Sequence, residues 1–235
     1  MNTEEFYNKR DLNKNKEENK SLPDGAKKVL AAITKLFPKK FLDIGCGDIF
    51  LSKNILKECK IEEYHGIDIS GAGVLAAKEL GIKAIKLNID EESLLYEDSY
   101  FDMVLAGELI EHLFNPDHLL SQVYRVLKKG GYFILTTPNL ASWHNRIALL
   151  LGYQPHYSEV STKYNIGKLM ATNKNDVSGH LRLFTLRALR QLLELYNYKI
   201  IKILGYATDM FIDKHIFSHM SSLATGLIII SQKNV

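Results

Sequence analysis

The sequence predicts an α/β fold in which helices cover both faces of a doubly wound, mostly parallel sheet. Between residues 41 and 136, short apolar runs with the length of buried strands alternate with segments of helical periodicity. Of the 235 residues 46% are hydrophobic, which is enough for one full core but not for two comfortable ones. Such an alternation implies parallel strands joined by right-handed crossovers.

A leading helix should precede the sheet. Pro23 begins a segment whose apolar residues recur at helical spacing, and Pro38 ends it. Residues 1–21 are dominated by Lys, Glu, Asn and Asp, so we expect a frayed or loosely docked tail. The sequence thus divides into a tail with a leading helix, residues 1–37, and a main domain, residues 38–235.

The main domain should contain strands and capped helices in alternation. Ser70 can cap one helix, Asn115 can open another that ends at Gly130-Gly131, and Thr185 can cap a late helix. Residues 140–180 form an irregular insert with one predicted helix around Trp143–Leu151, and such a stretch is commonly a lid or binding loop. The predicted strands are Phe41–Ile44, Tyr64–Ile67, Ala84–Leu87, Phe101–Leu105, Tyr132–Thr136, Lys199–Leu204 and Leu223–Ser231.

Composition argues against several classes of protein. The net charge of +3 comes from 30 basic and 27 acidic residues, so no strong field steers the chain onto nucleic acid or a membrane surface. Two cysteines, Cys46 and Cys59, cannot build a disulfide framework or a four-cysteine zinc site. The apolar stretch Leu227–Ile230 is too short to span a bilayer. We expect a protein of the cytoplasm, without membrane partners.

The most informative segment is an apolar strand that runs directly into the glycine turn Gly45-Cys46-Gly47. Glycines let the backbone turn with positive φ and let a ligand approach the main chain. About twenty residues on, the second strand ends at Asp68, where a carboxylate can meet the hydroxyl pair of a ribose. The spacing predicts a nucleotide-containing cofactor.

Two cofactors compete for this loop. A dinucleotide site wants a third glycine where this chain has Phe50, which disfavours NAD. Asp43, just before the loop, would repel a pyrophosphate but would attract a cationic amino group and a sulfonium. S-adenosylmethionine (SAM) carries both groups, so the residues favour SAM.

At these residues the chain resembles class I SAM-dependent methyltransferases, within the small-molecule type 11/12 group of MetW-like and ubiquinone O-methyltransferase-like proteins. Similarity extends from Phe41 to Asn139 and more thinly through residues 179–206, and the run Ser99-Tyr100-Phe101-Asp102-Met103-Val104 resembles the family's lead into its fourth strand. The resemblance implies a Rossmann-like sheet of seven strands with an antiparallel final strand. It departs at Ile49, where the family often has glycine, so we expect this side chain to point away from the ligand.

The resemblance also implies the residues that bind SAM, or the product S-adenosylhomocysteine. Asp43 and the glycine turn form the first loop, and Asp68 holds the ribose. The turn after the third strand should contact adenine, with either Asn88 or Asp90 as the polar group. The expected cofactor residues are Asp43, Gly45, Cys46, Gly47, Asp68, Ile69, Asn88, Ile89, Asp90, Gly107 and Glu108.

Candidates for the chemistry follow the fourth strand, because ligands of open α/β sheets sit beyond the carboxyl ends of strands. Glu108, Glu111 and His112 can lie on one side of a helical turn, and His180 opens a later run. We expect Glu111, His112 and His180 to be catalytic, with Glu108 on the cofactor side. Small-RNA 2′-O-methyltransferases carry a similar run with a metal. Carried over residue by residue, that resemblance implies Glu108, Glu111, His112 and His180 as metal ligands. Many relatives with the same run are not known to need a metal, so a divalent ion is the less favoured alternative and no metal ligand is assigned.

Insert 140–180 is expected to be an acceptor-binding lid, and local packing of an aromatic subdomain is the alternative. The leading hypothesis is methyl transfer to an O or N atom of a small-molecule or glycan-like acceptor. Thr136-Thr137-Pro138-Asn139 lacks the motif of enzymes that methylate the amino groups of bases. A metal-assisted RNA 2′-O-methyltransferase, or a non-catalytic SAM-binding partner protein, remains the alternative. The candidate acceptor residues are Trp143, His144, Asn145, Arg146, Tyr153, His156, Tyr157 and Tyr164.

Overall fold

The computed structural model describes residues 4, 5, 7, 8, 22–169, 177–207, 213, 215 and 217–234. Most of the predicted tail and residues 170–176 of the insert lie outside these residues. The described helices are α1 (Asp24–Leu36), α2 (Ile49–Glu58), α3 (Gly71–Glu79), α4 (Pro116–Val126), α5 (Trp143–Leu150) and α6 (Leu186–Leu195). The strands are β1 (Lys40–Ile44), β2 (Glu63–Asp68), β3 (Lys83–Lys86), β4 (Phe101–Gly107), β5 (Leu127–Pro138), β6 (Tyr198–Tyr206) and β7 (Gly226–Lys233).

The strands form one seven-stranded sheet in the order β3-β2-β1-β4-β5-β7-β6. Strands β1 to β5 pair in parallel, whereas β7 runs antiparallel to both β5 and β6. The predicted α/β fold, with a mostly parallel seven-stranded sheet and an antiparallel final strand, is therefore confirmed. Strand order reverses between β1 and β4, and ligands of open α/β sheets bind at this switch point.

Helix boundaries follow the predicted capping chemistry. Ser70 accepts a bond from the backbone N–H of Gly73, and Thr185 accepts one from Ala188. At the end of α1, Phe37 adopts the left-handed conformation that commonly terminates a helix.

One predicted boundary was wrong. The helix opened by Asn115 ends at Val126 and not at Gly130-Gly131, because Leu127 already pairs with Phe101 as the first residue of β5. Gly130 has φ +72°, a turn geometry that keeps the glycine pair inside an irregular strand.

Both faces of the sheet are covered, as a doubly wound fold requires. One apolar cluster packs α4 and α6 against one face, and another packs α1 and α3 against the other. Leu42 belongs to the first cluster and Phe41 to the second, as expected for neighbouring residues of a buried strand. Among the described residues, no helix has both the length and the apolar character needed to cross a bilayer.

Candidate functional site

A cleft of about 610 Å³, part of it open to solvent, lies at the carboxyl ends of β1, β2 and β4. This is the edge where parallel strands present their ends to a ligand. The residues that line it are Tyr7, Ile44, Gly45, Ile67, Asp68, Ile69, Leu87, Asn88, Ile89, Asp90, Gly107, Glu108, Leu109, His112 and Leu113.

The glycine turn forms the floor of the cleft beside β1. Gly45 has φ +88°, which a side chain would strain. The backbone N–H groups of Gly45 and Cys46 both donate to the carbonyl of Ile67, at 2.7 and 3.1 Å. Cys46 is buried against Gly66, where an added Cβ would lie 2.6 Å from its sulfur. The turn is therefore locked to the end of β2, and its first residue, Gly45, lines the cleft.

Asp68 is the last residue of β2, and backbone N–H groups donate to both oxygens of its carboxylate. The backbone N–H of Gly47 donates to one carboxylate oxygen at 2.7 Å, and that of Ser70 donates to the other at 2.8 Å. A carboxylate oxygen can accept more than one hydrogen bond, so a ribose hydroxyl pair is a chemically suitable donor to this acid. This pre-oriented acid at the cleft fits a ribose.

Asp43 does not line the cleft, whereas the other three acids predicted to bind the cofactor, Asp68, Asp90 and Glu108, do. Its carboxylate is buried and accepts bonds from the hydroxyls of Tyr64 at 3.1 Å and Ser52 at 3.3 Å. Burial raises the pKa of Asp43 to about 7, and the two hydroxyls oppose that rise. Its direct contact with a cofactor stays a prediction.

The turn after β3 reaches the cleft with both candidate polar groups. Asn88 and Asp90 both line it, and the side-chain oxygen of Asn88 accepts from the N–H of Asp90 at 3.1 Å. Asp90 also accepts bonds from the N–H groups of Phe114 and Asn115. Asp90 thus ties this turn to the start of α4, and the choice between the two residues as the adenine contact stays open.

Glu108 lies just beyond β4 and has φ +50°, in the left-handed region that disfavours most residues. Its carboxylate accepts bonds from the hydroxyls of Thr136 at 2.7 Å and Tyr206 at 2.9 Å. The helical turn expected to join Glu108 with Glu111 and His112 is not formed, because this backbone conformation interrupts it. Only Ile110–His112 form a short 3-10 turn.

The three predicted catalytic residues do come together. Glu111, His112 and His180 each offer one ligand atom, and these atoms lie within 4.8 Å of one another. Backbone hydrogen bonds hold His180 next to the other two residues, because the N–H groups of Leu181 and Arg182 donate to the carbonyl of Glu111. Of the three catalytic residues, His112 lines the cleft.

Hydrogen bonds set the chemistry of the two imidazoles. Nδ1 of His112 lies 3.1 Å from the carbonyl oxygen of Gly179, and Nδ1 of His180 lies 3.2 Å from that of Tyr157. A carbonyl only accepts, so the neutral ring carries its proton on Nδ1. In that tautomer Nε2 carries the basic lone pair, the atom that can take a proton or bind a metal.

In the insert, the Tyr157 ring packs against His180, and none of the candidate acceptor residues lines the cleft. The Tyr157 ring lies 5.6 Å from that of His180, and burial raises the pKa of Tyr157 to about 12. Trp143 stacks on Phe217, and buried Asn145 donates to the carbonyl of Asn139. Their role in binding an acceptor stays a prediction.

Eight of the eleven expected cofactor residues line the cleft, whereas Asp43, Cys46 and Gly47 do not. Ile49 is buried and does not line the cleft, as expected from its place after the glycine turn. Sequence reasoning missed two tyrosines: Tyr7, from the polar tail, lines the cleft, and Tyr206 binds Glu108. Tyr7 could have been noticed as one of few aromatic residues in that tail, whereas the sequence near Tyr206 gives no such signal.

Comparison with known proteins adds independent findings. A family model described as a methyltransferase domain matches residues 17–203. The chain is 28% identical over 157 residues to the mitochondrial ubiquinone biosynthesis O-methyltransferase of Saccharomyces cerevisiae, covering 62% of this chain and 50% of that protein. It is 29% identical over 122 residues to the ubiquinone biosynthesis O-methyltransferase of Pasteurella multocida, covering 45% of this chain and 49% of that protein. The chain spans about half the length of these curated relatives.

Solved structures share the fold. A SAM-dependent methyltransferase of Thermotoga maritima, described as a possible histamine N-methyltransferase, matches with a TM-score of 0.59 at 20% identity over 90% of each chain. A chain from the complex between the Trm112 methyltransferase activator of Haloferax volcanii and its methyltransferase matches with a TM-score of 0.65 at 14% identity, over 98% of this chain and 96% of that chain. Because the family model covers most of the sequence and the sheet has the expected topology, the chain belongs to the methyltransferase domain family.

Proposed function

We propose that the protein is a SAM-dependent methyltransferase that acts on an O or N atom of a small-molecule or glycan-like acceptor. The single observation that carries the proposal is a cleft lined by Gly45 of the glycine turn, Asp68 and His112. Membership in the methyltransferase domain family and the chemistry of these residues support SAM as the cofactor. Neither Cys46 nor Cys59 forms a disulfide, which is compatible with a reducing compartment such as the cytoplasm.

The chain's own residues account for binding and proton transfer. SAM, when bound, supplies a methyl group on a positively charged sulfur. Asp68 and the main chain of Gly45 would hold the adenosyl part, and Glu108 would face its cationic end. The Nε2 atom of His112 would take the proton from the acceptor as the nucleophile attacks.

A divalent cation is the second candidate at this site. Two imidazoles and one carboxylate suit Zn²⁺ or Mn²⁺, and the convergence of Glu111, His112 and His180 favours it. Glu108, the fourth ligand suggested by the RNA enzymes, is bound by Thr136 and Tyr206 and lies outside that group. The near balance of charge does not favour RNA as the acceptor.

Cofactor binding is tested by calorimetry with SAM and S-adenosylhomocysteine. Asp68→Ala should weaken both by about tenfold or more, since it removes a pre-oriented acceptor pair. Asp98→Ala is the matched control, because Asp98 is 75% exposed and pairs with Arg125 away from the cleft. The proposal fails if the wild type binds neither compound at sub-millimolar concentration.

Catalysis is tested by S-adenosylhomocysteine formation with a mixture of metabolite acceptors. His112→Ala should lower the rate by about 100-fold, the scale of general base catalysis. His118→Ala, whose ring lies beside the backbone of Glu92, is the matched control. Full activity of His112→Ala would contradict its role.

The metal candidate is tested separately. If activity survives exhaustive chelation and the change His180→Ala, the divalent cation is excluded. Loss on chelation with recovery in Zn²⁺ or Mn²⁺ would support it. Activity that appears only with added RNA would favour the RNA enzyme, and tight SAM binding without turnover until a second protein is present would favour a partner protein.

A further inference from the structure

The short N-terminal stretch formed by Glu4, Glu5, Tyr7 and Asn8 has helical backbone geometry and lies against the cleft. Tyr7 is one of the lining residues. Its ring meets the ring of His112 edge to face, with centroids 5.7 Å apart and an interplanar angle of 84°. The stretch therefore contacts the residue that the proposed reaction uses for proton transfer.

Two further residues, Asn8 and Glu4, attach the stretch to α3 and to β3. The side-chain oxygen of Asn8 accepts from the hydroxyl of Ser70 at 2.9 Å and from the N–H of Ala72 at 3.2 Å. The Glu4 carboxylate lies 2.6 Å from the Lys86 ammonium. The hydrogen bonds hold the stretch in one orientation, whereas the exposed ion pair adds little.

The positions of these partners decide what the stretch can do. Lys86 ends β3, Ser70 caps the helix that follows β2, and His112 follows β4. The carboxyl ends of these strands are the mouth of the cleft, so a segment attached at all three spans it. A ligand seated between Asp68 and His112 would lie beneath the Tyr7 ring.

We propose that Tyr7, oriented by Asn8, is a cofactor-binding residue that covers the cleft and slows the departure of the adenosyl ligand. This inference rests on the proposed function, because it takes that ligand to be SAM or S-adenosylhomocysteine. Covering the ligand with an aromatic ring buries apolar surface and excludes water from the reacting atoms. The Tyr7 ring should mainly affect the dissociation rate of the ligand, because release requires this ring to move.

The test measures S-adenosylhomocysteine dissociation from the full chain by stopped-flow displacement. Tyr7→Ala should raise the dissociation rate by about tenfold or more, and Asn8→Ala should raise it by a smaller factor. Tyr7→Phe keeps the ring and should stay within about threefold of the wild type. Asn54→Ala is the control for Asn8, since the Asn54 side chain donates to the carbonyl of Phe50 within its own helix.

A second readout does not depend on how the variants fold. In the wild type, S-adenosylhomocysteine should slow tryptic cleavage after Lys9 and Arg10, the first basic residues beyond the stretch. Unchanged cleavage, or an unchanged dissociation rate in a Tyr7→Ala protein that melts like the wild type, overturns the assignment of Tyr7. If the wild type itself does not bind the compound, the proposed function fails instead.

Discussion

Asp43, whose buried carboxylate accepts bonds from two hydroxyls, is the most informative residue outside the cleft. Asp43 is 6% exposed, and its pKa is raised to about 7 because burial disfavours the charged form. From the sequence, Asp43 is an acid placed for a cationic cofactor. The structure adds that Tyr64 of β2 and Ser52 of α2 donate to its carboxylate.

The raised pKa makes stability depend on pH. The native state holds the Asp43 proton up to about pH 7, whereas the unfolded chain releases it near its ordinary pKa of 3.8. The free energy of unfolding should therefore fall as pH rises through this interval. Asp43→Asn keeps an oxygen for both hydroxyls and removes the titration. The wild type should lose roughly 2 kcal/mol relative to this variant between about pH 5 and pH 8.

Urea unfolding at several pH values checks this prediction. The difference between the two proteins should grow with pH and become constant above about pH 7. A difference that does not change with pH would mean that Asp43 titrates near its ordinary value.

At the scale of elements, β6 and β7 position a side chain for the site. Tyr206 and Gly226 face each other across this antiparallel pair, and the tyrosine ring folds over the glycine. A Cβ on Gly226 would lie 1.8 Å from the ring, and one on Gly25 of α1 would lie 3.1 Å from it. The absence of a Cβ at Gly25 and Gly226 makes room for the Tyr206 ring, and the Tyr206 hydroxyl donates to Glu108.

A side chain at Gly226 should lower the stability of the fold and also displace Tyr206 from the site. Gly226→Ala should cost roughly 3 kcal/mol, because the ring has to leave its place. In a Tyr206→Ala background the same change should cost less than about 1 kcal/mol, since the clash is gone. Denaturant unfolding of the four proteins measures this coupling. Equal costs in both backgrounds would show that the ring is not what requires glycine.

At the scale of the whole molecule, ligand binding should stabilise the fold. The cleft draws residues from the ends of β1, β2 and β4, which unfolding separates. A ligand that binds only the native state at about 100 times its Kd contributes about 2.7 kcal/mol. For a domain of this size the melting temperature should rise by roughly 5 to 10 °C with SAM.

Thermal melting with and without SAM measures the shift. Asp68→Ala should melt below the wild type without ligand, because the N–H groups of Gly47 and Ser70 lose their acceptor, and it should show a much smaller rise at the same SAM concentration. The prediction is contradicted if the variant gains as much as the wild type.

Local patterns of the sequence were enough for the architecture and for most of the cofactor side of the site. Alternating strand and helix periods, the glycine turn and the acid at Asp68 are each defined within a short stretch of chain, so their chemistry can be read there. Their order along the chain also fixes which strand ends meet, because crossovers between parallel strands have one hand.

The tertiary structure alone decided the pairings across long separations. Tyr206 meets Glu108 although 98 positions separate them, and His180 reaches His112 only because two backbone N–H groups bind the carbonyl of Glu111. Tyr7, from a tail expected to be loose, meets His112 at the cleft. No local propensity encodes such contacts: they arise when sheet order and packing bring distant segments to the same edge, which a single sequence does not specify residue by residue.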